Sequence, residues 1–152
     1  MPIALKAEEQ ELLLEEVTAF AEAARDPETR ADLQTLAGLV QTGALPDEAL
    51  PAIGGVLEIG LQTGRIRKMH RASGEQALLR LFHKTPAGEA QTKTTADLNK
   101  ALAELEGQNI ETVKVLTRVP GVYLLTISTD KCEMTLRFAP DGAGVEAVAL
   151  GI

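Results

Sequence analysis

The sequence predicts an α+β protein in which helices come first and an antiparallel sheet follows. Apolar residues recur at spacings of three and four in residues 1–64, as on one helix face, and in alternation near the C-terminus, as on one strand face. Charge also changes sign near Gly64: residues 1–64 carry 3 basic and 12 acidic side chains, a net of −9, whereas residues 65–86 carry 6 and 1, a net of +5. The prediction is a three-helix part over 1–64, then an α+β part over 65–152 with a β-hairpin, one helix and a four-stranded antiparallel meander. The two parts form either separate domains or one continuous domain.

Three amphipathic helices are predicted in the first part. Residues 7–25 form the first, and its apolar stripe comprises Leu13, Val17, Phe20 and Ala24. The second begins at Asp26-Pro27, because Asp caps free backbone N–H groups and Pro is tolerated at the first helical position, and it ends at Gly43. The third covers residues 51–63 and ends at Gly64.

The segment 65–84 has two interpretations. We favour a β-hairpin that turns near Ser73-Gly74, since such a pair is typical of tight turns. The alternative is a helix from Ser73 to Lys84, in which Ser73 and Gln76 form a capping box. In both cases Pro86-Ala87-Gly88 is predicted to be a loop.

One helix and four strands are predicted to follow. The helix covers residues 96–106, with Thr95 as its cap and Gly107 at its end, and it packs over the dry face of the sheet. Strict alternation in the third strand places Cys132, Met134, Leu136 and Phe138 on that dry face. The opposite, wet face carries Glu133, Thr135 and Arg137, and Tyr123 is predicted to join them. The other strands are expected near 110–119, 121–129 and 144–150, separated by turns at Pro120-Gly121, Asp130-Lys131 and Pro140-Asp141-Gly142.

Composition excludes several classes of protein. Aromatic residues make up 3% of the chain and Trp is absent, so a platform for stacking bases or sugars is not expected. A single cysteine, Cys132, rules out an intrachain disulfide and fits a reducing compartment. The N-terminus lacks a secretory signal pattern, and no run approaches the roughly 20 apolar residues of a membrane span. We therefore expect a soluble, cytoplasmic protein that does not bind a membrane.

No pattern indicates catalysis, a metal or a cofactor. His70, His83 and Cys132 are the soft metal ligands, and they lie in neither CxxC nor HxxxH spacing. Ser73 and Ser128 are the only serines, and neither lies in GxSxG. Glycine-rich phosphate loops are absent. The sequence thus favours a protein that is not an enzyme.

Two surfaces are candidate partner-binding sites. The first is the basic segment 65–84, and the second is the wet face of the sheet. Three helices followed by a basic hairpin is the order of a winged-helix DNA binder, but the third helix offers no base-reading side chain before Gln62. The net charge of −7 also opposes binding to nucleic acid. The predicted partner-binding residues are Arg65, Arg67, Lys68, Arg71, Arg80, Glu133 and Arg137.

The leading hypothesis is a non-catalytic protein–protein interaction protein, such as an adaptor, regulator or assembly factor, that self-associates or binds another protein. One alternative is a sequence-tolerant nucleic-acid binder that uses the basic segment. The other is a small ligand-binding or enzymatic module with a pocket between helix 96–106 and the sheet. The polar groups proposed for that pocket are His70, His83, Arg118 and Arg137.

Overall fold

A computed structural model describes residues 2–150 and confirms the α+β class, with helices preceding the sheet. The chain divides into two compact units, Met1–Glu89 and Ala90–Ile152. Its elements in chain order are β1 (Ile3–Ala4), α1 (Ala7–Ala23), α2 (Pro27–Gln41), β2 (Ala44–Leu45), a 3₁₀ turn (Asp47–Ala49), α3 (Leu50–Gln62), α4 (Arg65–Phe82), α5 (Pro86–Ala103), β3 (Ile110–Val119), β4 (Val122–Thr129), β5 (Cys132–Ala139) and β6 (Gly142–Leu150).

The first unit is built from α1 to α4 around one aliphatic core. The three predicted helices are confirmed, and Asp26 caps α2 by accepting a hydrogen bond from the Thr29 backbone N–H at 3.1 Å. Gly64 ends α3 with φ of +76°, a value that glycine adopts without steric cost. β1 and β2 form a short antiparallel pair beside the helices. The fully buried core side chains include Leu13, Val17, Val40, Leu45, Ile53, Leu57, Ile66, Leu78 and Leu81.

The predicted β-hairpin over 65–84 is wrong, because this segment is the helix α4. Its apolar side chains are buried at helical spacing in the core of the first unit, and this packing outweighs the local turn signal at Ser73-Gly74. The alternative of a helix from Ser73 is thus right for the second half of the segment, and a separate helical stretch from Arg65 meets it at a kink at Arg71. Since α4 packs against α1 and α3, the units divide within α5 and not near Gly64.

The helix α5 begins at Pro86, ten residues before the predicted start. Thr85 is fully buried, and its hydroxyl donates to the Phe82 carbonyl at 2.6 Å and accepts from the Gly88 N–H at 3.2 Å. The predicted loop at Pro86-Ala87-Gly88 is therefore the first turn of a helix. Thr95 lies inside α5, where its hydroxyl bonds the Gln91 carbonyl at 3.1 Å, so it is not the cap.

The second unit contains the predicted four-stranded antiparallel meander in the order β3-β4-β5-β6. Each strand meets the next at a predicted turn, and Gly121 has a φ of +83°. Tyr123 pairs directly with Phe138, which places it on the dry face and corrects the expected wet position. No helix within residues 2–150 is long and apolar enough to cross a bilayer.

Candidate functional site

The dry face of the sheet is covered only along its middle. Ile127 of β4 and Met134 and Leu136 of β5 are buried. Gln108, beyond the end of α5, accepts hydrogen bonds from the Thr129 hydroxyl and, at 3.4 Å, from the Cys132 thiol. The half-buried side chains of the last turns of α5 and the residues after it are Leu98, Ala101, Leu102 and Leu105.

Seven apolar side chains at the margins of this same face remain exposed, and we call them the apolar sheet face. The strand register places all seven side chains on the dry side of the sheet. Each lies on β5, lies directly opposite a dry-face residue on the adjacent strand, or is linked to one across one intervening strand. They are Val113, Val115, Tyr123, Phe138, Val145, Val148 and Leu150. Exposed apolar groups gathered on one face mark an interaction site more often than scattered ones do.

The two edge strands differ in how they discourage pairing with another chain. β3 carries Glu111, Lys114 and Arg118, and its pairing with β4 is interrupted by two register shifts. β6 carries one charged residue, Glu146, and this carboxylate forms an ion pair with Arg118. Charged side chains and bulges are the usual protection of an open edge. β6 has one register shift and an already neutralised charge, so it is the less protected edge.

The wet-face residues predicted to bind a partner lie in local polar pairs. Glu133 accepts a hydrogen bond from the Ser128 hydroxyl at 3.1 Å, and Arg137 lies 3.4 Å from Asp141. The Thr126 and Thr135 hydroxyls are 3.2 Å apart across the strands. Each of these polar side chains therefore already has a partner within the sheet.

A broad surface cavity of about 500 Å³ lies beside Arg137 in the second unit. Its polar groups already neutralise one another, because Arg137 faces Asp141 and Glu146 faces Arg118. Two of the four residues proposed for a pocket, Arg118 and Arg137, thus lie at or next to this cavity. The other two, His70 and His83, belong to the first unit.

The basic residues of 65–84 follow a helix rather than a ribbon. Arg67, Lys68, Arg71 and Arg80 are exposed on α4, whereas Arg65 is partly buried against α1. Because the segment is helical, the two-stranded ribbon that motivated a nucleic-acid site does not form.

Sequence reasoning missed a buried ion-pair cluster in the first unit. Glu16 of α1 is 1% exposed, and its carboxylate accepts from Arg65 Nε at 3.2 Å and His70 Nε2 at 2.9 Å. The other ring nitrogen of His70, Nδ1, is 3.5 Å from the Glu15 carboxylate. The sequence contains a signal for this buried carboxylate, because Glu16 lies three residues after Leu13 and therefore on the apolar stripe of α1.

The soft metal ligands predicted from the sequence lie apart in the structure, with Cys132 in the second unit and both histidines in the first. Cys132 is buried, with its thiol 3.6 Å from the Thr129 hydroxyl. Among residues 2–150, no three His, Cys, Asp or Glu side chains are grouped so that they could hold a metal ion. Comparison with known proteins finds no matching family model, no matching curated protein and no matching solved structure.

Proposed function

We propose that this chain is a non-catalytic protein–protein interaction protein that self-associates through the apolar sheet face and the β6 edge. The observation that carries the proposal is the exposure of seven apolar side chains on one side of a single sheet, with Leu150 82% exposed. Each Å² of apolar area that a partner covers along the β6 rim of this face stabilises the association by about 25 cal/mol. The predicted compartment remains the cytoplasm.

The charges along β6 favour a second copy of the chain as the partner that binds this edge. β6 presents a nearly neutral edge, because its one carboxylate is paired with Arg118 in the same molecule. A partner needs no complementary charge there, and two β6 strands can pair antiparallel around a two-fold axis. Their unpaired N–H and C=O groups then satisfy each other, and the two apolar sheet faces continue across the join.

The size of the edge sets the strength of this association. Nine residues at about 3.4 Å each make an edge roughly 30 Å long, and a sheet is about 10 Å thick, which gives a contact near 300 Å² per subunit. A stable interface buries about 800 Å² per partner. We therefore expect a reversible dimer whose population depends on protein concentration.

The test compares the wild type with two lysine variants of β6 by sedimentation velocity over a concentration series. Val148 lies on the apolar sheet face, whereas Ala147 lies on the wet face of the same strand and is also exposed. Val148→Lys should abolish the dimer, because it places a charge within the apolar contact. Ala147→Lys adds the same charge at the same edge but should weaken dimerisation less.

Two results would overturn the proposal. One is a wild-type chain that stays monomeric at every concentration, and the other is a Val148→Lys variant that dimerises as well as the wild type. The dependence of binding on salt concentration distinguishes self-association from nucleic-acid binding. Screening reduces repulsion between two chains of charge −7 and so favours the dimer, whereas binding to nucleic acid weakens steeply as salt rises.

A further inference from the structure

The helix α4 bends at a residue whose backbone is strained. Arg71 has φ of 61° and ψ of −171°, and it is the one non-glycine residue with positive φ among those described. This region of backbone space is essentially restricted to glycine. The bend therefore persists only because contacts on both sides of Arg71 hold it in place.

Side chains of α1 hold the segment before the bend. Arg65 and His70, at the two ends of Arg65–His70, both donate to the buried Glu16 carboxylate, at 3.2 and 2.9 Å. Between them Ile66 is fully buried. It approaches α3 so closely that a Cβ on Gly60 would lie 2.7 Å from its Cδ1 atom.

The segment after the bend is held differently. Leu78 and Leu81 are fully buried in the aliphatic core and do not depend on Glu16. Gly74 lets this segment pack on the segment before it, since a Cβ there would lie 2.4 Å from the His70 Cβ. The half before the bend is thus held by the ion-pair cluster together with Ile66, whereas the half after it is held by apolar packing.

We propose that Glu16 is a clamp that holds α4 bent against the strain at Arg71, and that Arg65–His70 is a hinged segment that opens when the clamp is released. Opening relieves the strain by letting Arg71 leave the positive-φ region, and it uncovers Ile66 and the α1 surface around Glu16. This device lies in the first unit and does not depend on the proposed self-association of the second.

Hydrogen–deuterium exchange of the full chain tests the proposal by comparing Glu16→Gln with its neighbour Glu15→Gln. Glu16→Gln should lower the protection of amides in 66–71 about tenfold to hundredfold, because hydrogen bonds to a buried charge are lost. Glu15→Gln should change it little, since Glu15 is 58% exposed and its carboxylate lies 3.5 Å from His70 Nδ1, on the opposite side of the ring from Glu16. Protection of α2 should stay at the wild-type level in both variants.

A second substitution separates a clamp from a purely structural contact. Adding Arg71→Gly to Glu16→Gln removes the backbone strain and should restore most of the lost protection. Unchanged protection of the 66–71 amides in Glu16→Gln would overturn the proposal. An equal loss of protection across the whole first unit in Glu16→Gln would also overturn it, as would a double variant in which Arg71→Gly fails to restore the protection. If Glu16→Gln does not fold, Arg65→Gln removes one arm of the clamp and should give the same local loss at smaller size.

Discussion

Replacing Arg71 by glycine should stabilise the first unit, although glycine in a helix normally destabilises it. The backbone of Arg71, with φ of 61° and ψ of −171°, lies in a region where a side chain costs on the order of 1–3 kcal/mol. Glycine removes this strain but adds about 0.5–1 kcal/mol of conformational entropy to the unfolded chain. The difference is a gain of up to about 2.5 kcal/mol in the free energy of unfolding.

Urea unfolding followed by far-UV circular dichroism measures this gain as a higher midpoint at an unchanged slope. Arg80→Gly is the matched control, because Arg80 is exposed on the same helix and loses the same charge. That variant should lose about 1 kcal/mol, the usual cost of glycine in a helix interior. If Arg71→Gly lost as much stability as Arg80→Gly, the reasoning on backbone strain would be refuted.

Two further predictions concern the ends and contacts of helices. Gly88→Ala should destabilise the protein by about 1–3 kcal/mol or more, because the added Cβ would lie 2.0 Å from the Phe82 carbonyl oxygen. Gly55→Ala, with open space around the new Cβ, should instead stabilise α3 by up to about 1 kcal/mol, and thermal unfolding of both variants checks the contrast in sign. Hydrogen bonds from the Thr29 hydroxyl and backbone N–H lower the pKa of Asp26 below its ordinary value of 3.8. Because the pKa of Asp26 is lower in the folded state, its carboxylate stabilises the fold at pH values above the unfolded-state pKa, and this stabilisation is lost as the pH falls through the folded-state pKa. Asp26→Ala should therefore have a lower melting temperature than the wild type at neutral pH. Equal melting temperatures at neutral pH would contradict the role of Asp26 as a cap.

The sheet could be predicted almost residue by residue because its signals are local. Alternation from Cys132 to Phe138 marks one dry face, and turn pairs such as Pro120-Gly121 punctuate the strands. The cap at Asp26 was likewise visible, since Asp followed by Pro both satisfies a backbone donor and starts a helix.

The helix α4 and the start of α5 were mispredicted for different reasons, since tertiary packing of Ile66, Leu78 and Leu81 decides α4 whereas a local cap starts α5. Ser73-Gly74 has the form of a turn, yet Gly74 is required where the two halves of α4 touch. The first turns of α5 have no apolar stripe, and the buried hydroxyl of Thr85 fixes where the helix begins. Thr85-Pro86 has the same cap-and-proline pattern as Asp26-Pro27, so the sequence did contain a signal for the start of α5.

Only part of the candidate surface could be predicted from the sequence. Alternation identifies which face of the sheet is apolar, but it does not indicate how much of that face is buried. Val115 and Val148 lie at opposite edges of the sheet, beyond the buried middle strip, and their exposure follows from the width of four strands. The binding of a partner by the wet-face residues Glu133 and Arg137 stays a prediction.

Sedimentation velocity of the full chain at low and high salt tests the proposed self-association most directly. We predict a reversible monomer–dimer equilibrium that shifts toward the dimer as protein concentration and salt rise, and that Val148→Lys abolishes. A chain that remains monomeric at the highest concentration and salt would contradict the proposal that the β6 edge pairs with a second copy and so extends the apolar sheet face.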